Sequence, residues 1–245
     1  MLDEILYIVM PAYNEVANIQ TVVEQWYPIL DGKNERSRLV VADSGSTDGT
    51  HELLEQLRSS YSKLEILSNS DKYHGPKLMA LYRHAIDAGA DYIFQTDSDG
   101  QTNPDEFASF WNERSQCEGI IGYRVAREDG KGRAFVEAIV CLLVRLFFGV
   151  RIPDANAPFR LMRTSLIKKY IDLLPADYNI PNIMFTSIFA FFEEKICFEE
   201  ISFKPRQGGE NSINYLKIIR IGCKALKDFS KYSKECKKRK KDKYD

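Results

Sequence analysis

Two aspartates one residue apart, Asp97 and Asp99, are the first feature of the sequence that could carry chemistry. They follow a short apolar run, residues 92–94, which predicts a buried strand. Hard divalent cations bind carboxylate oxygens and commonly bridge to substrate phosphates. The pair therefore predicts a Mg²⁺ or Mn²⁺ site for a diphosphate, with Gln101 as a neutral oxygen ligand. The alternative is an ordinary turn before a helix capped by Asn103.

Two further polar stretches follow predicted strands. Residues 43–50, D-S-G-S-T-D-G-T, have the composition of a tight turn before a helix. Either Thr47 or Asp48 only caps that helix, or Asp43 accepts hydrogen bonds from the base or ribose of a nucleotide. Residues 11–15, P-A-Y-N-E, stand where a dinucleotide enzyme would carry its glycine-rich turn, and that glycine set is missing. The sequence therefore argues against an NAD-binding domain.

Several basic residues could bind phosphate, because the planar arginine fork matches phosphate oxygens. The alternative is that some of them are surface or ion-paired residues. Arg206 is the best placed, since Gly208 and Gly209 allow close approach of the backbone to a ligand. The other members of this set are Arg124, Arg127, Lys131, Arg133, Arg160 and Arg163.

Short apolar runs alternate with amphipathic segments along the first hundred residues. This alternation predicts βαβ units and a parallel sheet, which binds ligands beyond the carboxyl ends of its strands. The three polar stretches lie at those ends. The predicted strands are 5–10, 39–41, 64–67, 92–94, 120–123, 159–162 and 196–204. The predicted helices are 17–27, 51–57, 77–88, one capped by Asn103, 134–148, 183–192 and a long one from 215. Residues 237–245 are predicted to be disordered.

The charge of the 245-residue chain is unevenly distributed. Residues 216–245 contain 12 Lys or Arg against 4 Asp or Glu, although the whole chain has a formal net charge of −1. We therefore predict one globular domain, residues 1–215, followed by a basic amphipathic helix and tail, residues 216–245. The positive charge of the helix and tail predicts an anionic partner, such as a membrane surface or a nucleic acid.

The cysteines and histidines carry no spacing signal. None of the five cysteines forms a CxxC pair, so neither a zinc site nor a disulfide is predicted and a reducing cytoplasmic setting is the simplest interpretation. His51, His74 and His84 are interpreted as ordinary residues. The sequence shows no signal peptide, and residues 134–150 are too short and too charged for a confident membrane span.

Together, the polar stretches resemble the inverting glycosyltransferases of family 2, which have the GT-A fold. Residues 11–15 look like that family's P-A-x-N-E, and residues 43–50 are similar to its D-D-G-S-x-D-G-T. Residues 97–101 resemble the D-A-D-x-Q of the branch that contains dolichol-phosphate mannose synthase and bacterial polyprenyl-phosphate sugar transferases. Three later elements also match: G-x-R…R at Gly122, Arg124, Arg127 and Arg133, D…F-R at Asp154, Phe159 and Arg160, and R-x-x-G-x-S at Arg206, Gly209 and Ser212.

The resemblance implies a doubly wound, mostly parallel α/β sheet flanked by helices, with a basic C-terminal helix. It also implies transfer of a sugar, with inversion, from a nucleotide-sugar donor to a polyprenyl-phosphate type acceptor. Asp97, Asp99 and Gln101 would hold Mg²⁺ or Mn²⁺. The catalytic residues would be Asp99, Asp154, Arg124 and Arg206. The residues that bind the donor would be Pro11, Ala12, Tyr13, Glu15, Asp43, Asp97 and Ser98. The residues that contact a phosphate or the acceptor would be Arg127, Arg133, Arg160 and Ser212.

The alternatives concern the acceptor and the reaction. One is a sugar hydroxyl acceptor in cell-surface polysaccharide synthesis, for which Asp154 would be the general base. Others are a nucleotidyltransferase and an inactive nucleotide-sugar-binding module. The sequence departs from the family pattern at Ser44, which replaces an aspartate beside the base, and at residues 155–158, which replace a Ser-Gly step on the acceptor side.

The apolar helix 134–148 and the basic tail predict a peripheral enzyme on the cytoplasmic face of an anionic membrane. The residues expected near one face of that helix are Phe135, Ile139, Leu142, Leu143, Leu146 and Phe147. The alternative is that both helices pack on the body of the protein or in a homo-oligomer. No nucleic-acid partner is expected.

Overall fold

The computed structural model describes residues 4–127, 131–204 and 215–242. Its strands are β1 (Leu6–Ala12), β2 (Arg38–Asp43), β3 (Leu64–Leu67), β4 (Tyr92–Gln95), β5 (Gly119–Arg127), β6 (Arg160–Arg163) and β7 (Ile196–Phe203). Its α-helices are α1 (Ile19–Trp26), α2 (Thr50–Ser60), α3 (His74–Asp87), α4 (Phe107–Glu113), α5 (Lys131–Phe148), α6 (Thr164–Tyr170), α7 (Pro181–Phe191) and α8 (Tyr215–Asp242).

The seven strands form one sheet in the order β3-β2-β1-β4-β6-β5-β7. Strands β3, β2, β1 and β4 run parallel, and β7 runs parallel to β5. Strand β6 is antiparallel to both of its neighbours. The predicted mostly parallel sheet is therefore confirmed, with one reversed strand in its second half.

Helices cover both faces of the sheet because its central strands are apolar on both sides. Every residue of β1 is buried. One core cluster packs helices α3, α5, α7 and α8 against the sheet, and the other packs α1, α2 and α4 on the opposite face. Such double coverage is what a parallel sheet requires, since neither face can meet water.

The C-terminal helix is longer than predicted. Helix α8 continues to Asp242, so the prediction of disorder is wrong for residues 237–242. The physical reason is an apolar face, since Phe229, Tyr232 and Cys236 recur at helical spacing and are buried against the body. The chain is also helical at α6, a segment for which no element was predicted.

Helix α5 only partly buries its apolar residues. Leu143 and Phe147 pack against the core, whereas Ile139, Leu142 and Leu146 are exposed. The side chain of Phe135 lies outside the described part. In the ranges that the structure describes, no helix combines the length and apolar character needed to cross a membrane.

A disulfide joins Cys117 to Cys197, so the expectation of none is wrong. The two cysteines are 80 residues apart in the chain, and their Cα atoms lie 6.2 Å apart. Cys117 precedes β5, and Cys197 lies in β7, which pairs with β5. Local spacing cannot reveal a pair that only strand pairing brings together.

Candidate active site

The three polar stretches meet at one edge of the sheet. Strand β1 lies between β2 and β4 and is parallel to both, so the carboxyl ends of all three strands are neighbours. Ala12 pairs with Asp43 in this register. The Ser98 hydroxyl donates a hydrogen bond of 2.8 Å to the Pro11 carbonyl, which fixes the Asp97–Asp99 turn to the end of β1.

Asp43 is the buried centre of the loop after β2. The Ser46 hydroxyl donates to Oδ1 of Asp43, and Nδ1 of His51 lies 3.3 Å from Oδ2. The backbone N–H of Asn14 donates to Ser46 Oγ at 3.0 Å, so the loops after β1 and β2 are fastened together. Asp43 is therefore buried at the carboxyl end of β2, and both of its carboxylate oxygens contact side chains of the following loop and helix.

Glu15 supports this arrangement from inside the protein. Its side chain is buried and accepts a hydrogen bond of 2.8 Å from the Asn18 amide, and its backbone N–H donates to Thr50 Oγ1 at 2.9 Å. Pro11 and Ala12 are buried at the end of β1, whereas Tyr13 is exposed. Of the predicted donor residues in this loop, Tyr13 alone thus offers an open side chain to a ligand.

Lys77 of α3 is a buried cation that the sequence interpretation missed. Its ammonium group donates to the Ala12 carbonyl and lies 5.3 Å from the centre of the Tyr13 ring. Burial lowers the pKa of Lys77 to about 8, although Asp43 and Asp71 oppose the shift. A lone lysine inside a helical pattern carries no spacing signal, so only the fold brings it to the site.

Ser44, which replaces an aspartate of the family pattern, holds the next loop. Its hydroxyl donates to the Ser68 carbonyl and accepts hydrogen bonds from the backbone N–H of Ser70 at 3.2 Å. The residue thus fastens the chain after β3 to the chain after β2. A hydroxyl in this place carries one negative charge fewer than the aspartate of the family pattern.

Asp97 and Asp99 lie in the turn after β4, with side chains that are only partly buried. Asp99 Oδ1 accepts a hydrogen bond of 3.1 Å from the Gln101 N–H. Asp97 Oδ1 lies 3.1 Å from Nε2 of His74, the first residue of α3. His74 and His51 are therefore both at the site, although neither has a spacing that would have predicted it.

Gln101, whose side-chain oxygen is the predicted third metal ligand, uses its side-chain nitrogen to bind the end of β7. It is buried, and its side-chain N–H donates a hydrogen bond of 2.7 Å to the Lys204 carbonyl. The Lys204 N–H donates back to the Gln101 carbonyl at 2.9 Å. Gln101 thus fastens the end of β7 to the aspartate turn, which gives the residue a positioning role.

The aspartate pair fits a hard divalent cation that is shared with a substrate. Its carboxylate oxygens are the donors that Mg²⁺ and Mn²⁺ prefer. Among residues 4–127, 131–204 and 215–242, no group of three or more His, Cys, Asp or Glu is arranged to hold a metal ion. Two carboxylates with remaining positions for phosphate oxygens match the manner in which Mg²⁺ is usually held.

Asp154 and Arg124 form a buried ion pair. The Arg124 Nε and Nη2 donate to the two carboxylate oxygens at 2.7 and 2.9 Å. Glu137 of α5 lies 3.6 Å from the same guanidinium and accepts a hydrogen bond of 2.8 Å from the Ala155 N–H. The pair therefore locks β5, α5 and the loop before β6 together, and neither side chain is open to a ligand.

The pKa shifts of the two acids in this cluster are opposite. Burial alone would raise the pKa of Asp154, but its hydrogen bonds and charge contact with Arg124 outweigh burial and lower it. Burial, followed by repulsion from Asp154, raises the pKa of Glu137. A carboxylate with a lowered pKa is a poor proton acceptor, so the geometry counts against Asp154 as a general base.

Arg160 is a buried structural residue and not a phosphate contact. Its side chain is fully buried and donates to the carbonyls of Ala155, Ala157 and Asn182. It also donates to the Thr186 hydroxyl at 2.9 Å. The guanidinium fastens α7 to residues 155–157, the segment that departs from the family pattern, and it has no route to a substrate.

Four predicted residues cannot be placed at the site. Arg206 and Ser212 lie outside the described residues, and the same is true of the side chains of Arg127 in β5 and Arg133 in α5. Their suggested roles stay predictions.

Comparison with known proteins identifies this arrangement. The model of the family described as glycosyl transferase family 2 matches residues 7–193, which include the strand ends and polar turns described above. The chain belongs to glycosyl transferase family 2. It is therefore a glycosyltransferase, which sets aside the alternative of a nucleotidyltransferase.

Two curated relatives of this glycosyltransferase have different names. An undecaprenyl-phosphate 4-deoxy-4-formamido-L-arabinose transferase of Pectobacterium carotovorum is 22% identical over 226 residues, which cover 90% of this chain and 67% of the relative. The succinoglycan biosynthesis protein ExoA of Rhizobium meliloti is 33% identical over 121 residues, which cover 49% of this chain and 36% of the relative. Both the lipid-phosphate and the polysaccharide classes are thus represented.

Solved structures confirm the GT-A fold. A glucosyl-3-phosphoglycerate synthase from Mycobacterium tuberculosis, in complex with Mn²⁺, UDP-glucose and phosphoglyceric acid, matches with a TM-score of 0.65 and 17% identity. The match covers 95% of this chain and 80% of that structure. At this identity the likeness concerns the fold alone.

Proposed function

We propose that this glycosyltransferase moves a sugar, with inversion, from a nucleotide-sugar donor to a polyprenyl-phosphate type acceptor. The observation that carries the proposal is that the buried Asp43 cluster and the Asp97–Asp99 turn lie side by side at the carboxyl ends of β2, β1 and β4. This arrangement supports the proposal, because a nucleoside and its diphosphate would lie side by side at the edge where parallel sheets bind ligands.

Different residues would bind different parts of the donor. Asp43 and the loop at residues 11–15 would hold the nucleoside, and Asp97 and Asp99 would hold Mg²⁺ or Mn²⁺ beside the diphosphate. The bound metal would neutralise charge on the leaving nucleoside diphosphate. Ser98 would keep both carboxylates in register with β1, because its hydroxyl is tied to the Pro11 carbonyl.

The state of Asp154 supports an acceptor that is already an anion. A sugar hydroxyl needs a base to take its proton, and Asp154, the residue expected to do this, is buried and paired with Arg124. A lipid phosphate attacks as an anion and needs no strong base. The undecaprenyl-phosphate transferase among the relatives supports the same acceptor class. Such an acceptor resides in a membrane, so the enzyme would work peripherally at the surface of that membrane.

A second candidate is transfer to a sugar hydroxyl in cell-surface polysaccharide synthesis. The relative named as a succinoglycan biosynthesis protein favours it, because that match has the higher identity although it covers less of the chain. Under this alternative a carboxylate other than Asp154, which is paired with Arg124, would have to act as the base.

Thermal unfolding in the presence of different nucleotide sugars tests the donor side. One nucleotide class should raise the melting temperature when Mn²⁺ is present, and EDTA should remove the effect. Asp43→Asn should weaken this stabilisation, whereas Asp105→Asn, a change at an exposed helix terminus, should not. Stabilisation that is indifferent to the metal or to Asp43 would contradict the proposal.

A further inference from the structure

Exposed apolar side chains are concentrated on helix α5. Among the described residues, nine large hydrophobic side chains are exposed, and four of these belong to α5. Three of the four, Ile139, Leu142 and Leu146, are separated by three and four positions and have exposed fractions of 41%, 53% and 70%. These three residues are called the α5 stripe below. Their spacing puts them along one side of the helix.

The α5 stripe faces away from the protein. Val144 and Phe148, which lie on the opposite side of the helix, are buried in the core. Arg145, an exposed residue, is the only charged residue between Leu142 and Leu146. A solvated helix normally shows a charged outer face, so the exposed apolar side indicates an interaction surface.

Helix α8 carries a second ordered feature, a line of five exposed lysines. Lys227, Lys231, Lys234, Lys238 and Lys241 recur at intervals of four and three residues, so they lie along one side of the helix. They are called the α8 lysine ridge below. No salt bridge joins any of them to another described residue. The opposite side of the helix is the buried one, with Phe229, Tyr232 and Cys236.

The α5 stripe and the α8 lysine ridge belong to neighbouring helices. The ring centre of Phe229 lies 6.2 Å from that of Phe147 and 6.3 Å from that of Phe148, so the helices pack against each other through these rings. Each helix buries one side in the same core and turns the other side outward. The stripe and the ridge therefore lie on the outward sides of two helices that are packed together.

We propose that the α5 stripe and the α8 lysine ridge together bind an anionic lipid surface. The inference rests on the proposed function, since a lipid-phosphate acceptor must be reached at a membrane. Lysines attract the anionic headgroups, and the apolar side chains enter the boundary of the acyl chains. The charge complementarity names the partner class, because the ridge offers cations and the stripe on the neighbouring helix offers apolar contact.

The same charges argue against a second copy of the chain or a nucleic acid as the partner of this surface. A symmetric dimer places identical patches against each other, so a second copy would bring one lysine ridge towards another. A nucleic acid would engage the lysines but would gain little from the α5 stripe. A lipid surface uses both features at once.

Helix α5 also connects this surface to the interior of the site. Glu137, on the inner side of α5, accepts a hydrogen bond from the Ala155 N–H at 2.8 Å and lies 3.6 Å from Arg124. The helix that would rest on the lipid is therefore fastened to the loop of Asp154. An acceptor phosphate in that lipid would arrive beside this loop.

Co-sedimentation of the full chain with lipid vesicles tests the surface. The protein should bind vesicles of phosphatidylcholine with phosphatidylglycerol, and it should bind phosphatidylcholine alone much less. Leu142→Ser/Leu146→Ser and Lys234→Gln/Lys238→Gln should each weaken binding about tenfold or more. The matched control is Lys168→Gln/Lys195→Gln, which removes two exposed lysines from other elements and should bind as the wild type does. Equal binding by the wild type and both surface variants would overturn the proposal.

A second measurement does not depend on loss of binding. Leu146→Trp introduces a fluorophore at the most exposed position of the α5 stripe. Its emission should be quenched by brominated lipids in anionic vesicles, beyond any quenching of the native tryptophans in the wild type. An unquenched variant that still sediments with vesicles would contradict insertion of the stripe. A dimer in solution that Leu142→Ser/Leu146→Ser converts to a monomer, with no vesicle binding, would show that a second copy covers the surface.

The surface proposal and the proposed function can fail separately. Vesicle binding is measured without donor or acceptor, and turnover is measured with a short, water-soluble polyprenyl phosphate. If vesicle binding depends on the two features but no lipid phosphate is glycosylated, the surface proposal stands and the proposed function fails. If lipid phosphate is glycosylated but the variants bind vesicles as the wild type does, the surface proposal alone fails.

Discussion

Asp99 lies in a partly exposed turn, so its carboxylate contributes little to the hydrophobic core. We expect Asp99→Asn to lower kcat/KM about a hundredfold or more, because the neutral amide binds a divalent cation poorly and charge on the leaving diphosphate is then left unbalanced. The measurement is steady-state kinetics at increasing Mn²⁺, with the melting temperature recorded in parallel.

The control for this change is Asp105→Asn, which also removes one carboxylate after β4 but leaves the aspartate turn intact. It should retain activity near the wild-type value. Full activity of Asp99→Asn, or activity of the wild type that survives chelation, would contradict a metal held by this turn.

Asp154 should matter for stability, because it is buried and paired with Arg124. Asp154→Asn leaves the guanidinium without its main counter-charge, and the loss of one partner of a buried pair costs about 3 kcal/mol or more. Chemical denaturation should show this loss at neutral pH. An unchanged unfolding free energy, together with loss of an ionisation from the pH profile of kcat, would instead restore Asp154 as a general base.

The stability difference between wild type and Asp154→Asn should also depend on pH. The folded pKa of Asp154 is lowered, so its contribution is complete above the unfolded value of about 3.9 and is lost as pH falls through the folded pKa. Since asparagine does not titrate, the two proteins should differ by a constant amount near neutrality and converge in acid. A difference that grows as pH falls would be inconsistent with this ion pair.

Some residues of the site could be predicted from the sequence, and others could not. The aspartate turn and Asp43 could be predicted, since they follow apolar strands and the polar composition of their turns is local. Lys77 and His74 could not, because α3 brings them to the site only when it packs beside β1. The buried role of Arg160 could not be predicted, because Asn182 and Thr186, which accept two of its hydrogen bonds, are 22 and 26 residues away in the sequence.

Helix α3 approaches the loop after α6 so closely that only glycine fits at position 75. A Cβ on Gly75 would collide with backbone atoms of Tyr178 and Asn179. We expect Gly75→Ala to destabilise the protein by about 3 kcal/mol and to weaken donor binding, because the first turn of α3 also carries His74 beside Asp97. Denaturation and donor titration measure the two effects.

Gly149→Ala is the matched control. Gly149 has a φ of 75° and no atom close to the added Cβ, so alanine there should cost about 1 kcal/mol through backbone strain alone. This control should leave donor affinity unchanged. If the two variants lose the same stability and both keep donor affinity, the close approach at Gly75 does not position the site.

Elements with local signals were predicted best. Strands β1 to β4 and the helices between them have either continuous apolar runs or clear amphipathic spacing, and the structure has them close to the predicted bounds. The end of α8 was missed because its many lysines resemble a disordered tail, whereas its buried face needs only three residues. The disulfide was missed because the pairing of β5 with β7, not any local motif, brings Cys117 and Cys197 together.

At the scale of the whole molecule, the order of the strands brings the polar turns of the site together. Because β1 lies between β2 and β4, turns separated by many residues become neighbours at one edge, and parallel sheets bind ligands at that edge. Helices α5 and α8 pack together on one face of the sheet. The fold could be predicted from alternation and from the family resemblance, whereas the reversed direction of β6 could not, because strand 159–162 has no signal for its orientation.

Transfer of labelled sugar is the most direct test of the central claim. The purified chain is incubated with Mn²⁺, the nucleotide sugar that stabilises it most and a polyprenyl phosphate, and the organic and aqueous phases are then separated. We expect label in the organic phase, release of a nucleoside diphosphate, and loss of both in EDTA or in Asp99→Asn. Two results together would contradict a lipid-phosphate acceptor. The label would stay in the aqueous phase when polyprenyl phosphate is supplied, and it would be transferred when a sugar acceptor is supplied instead.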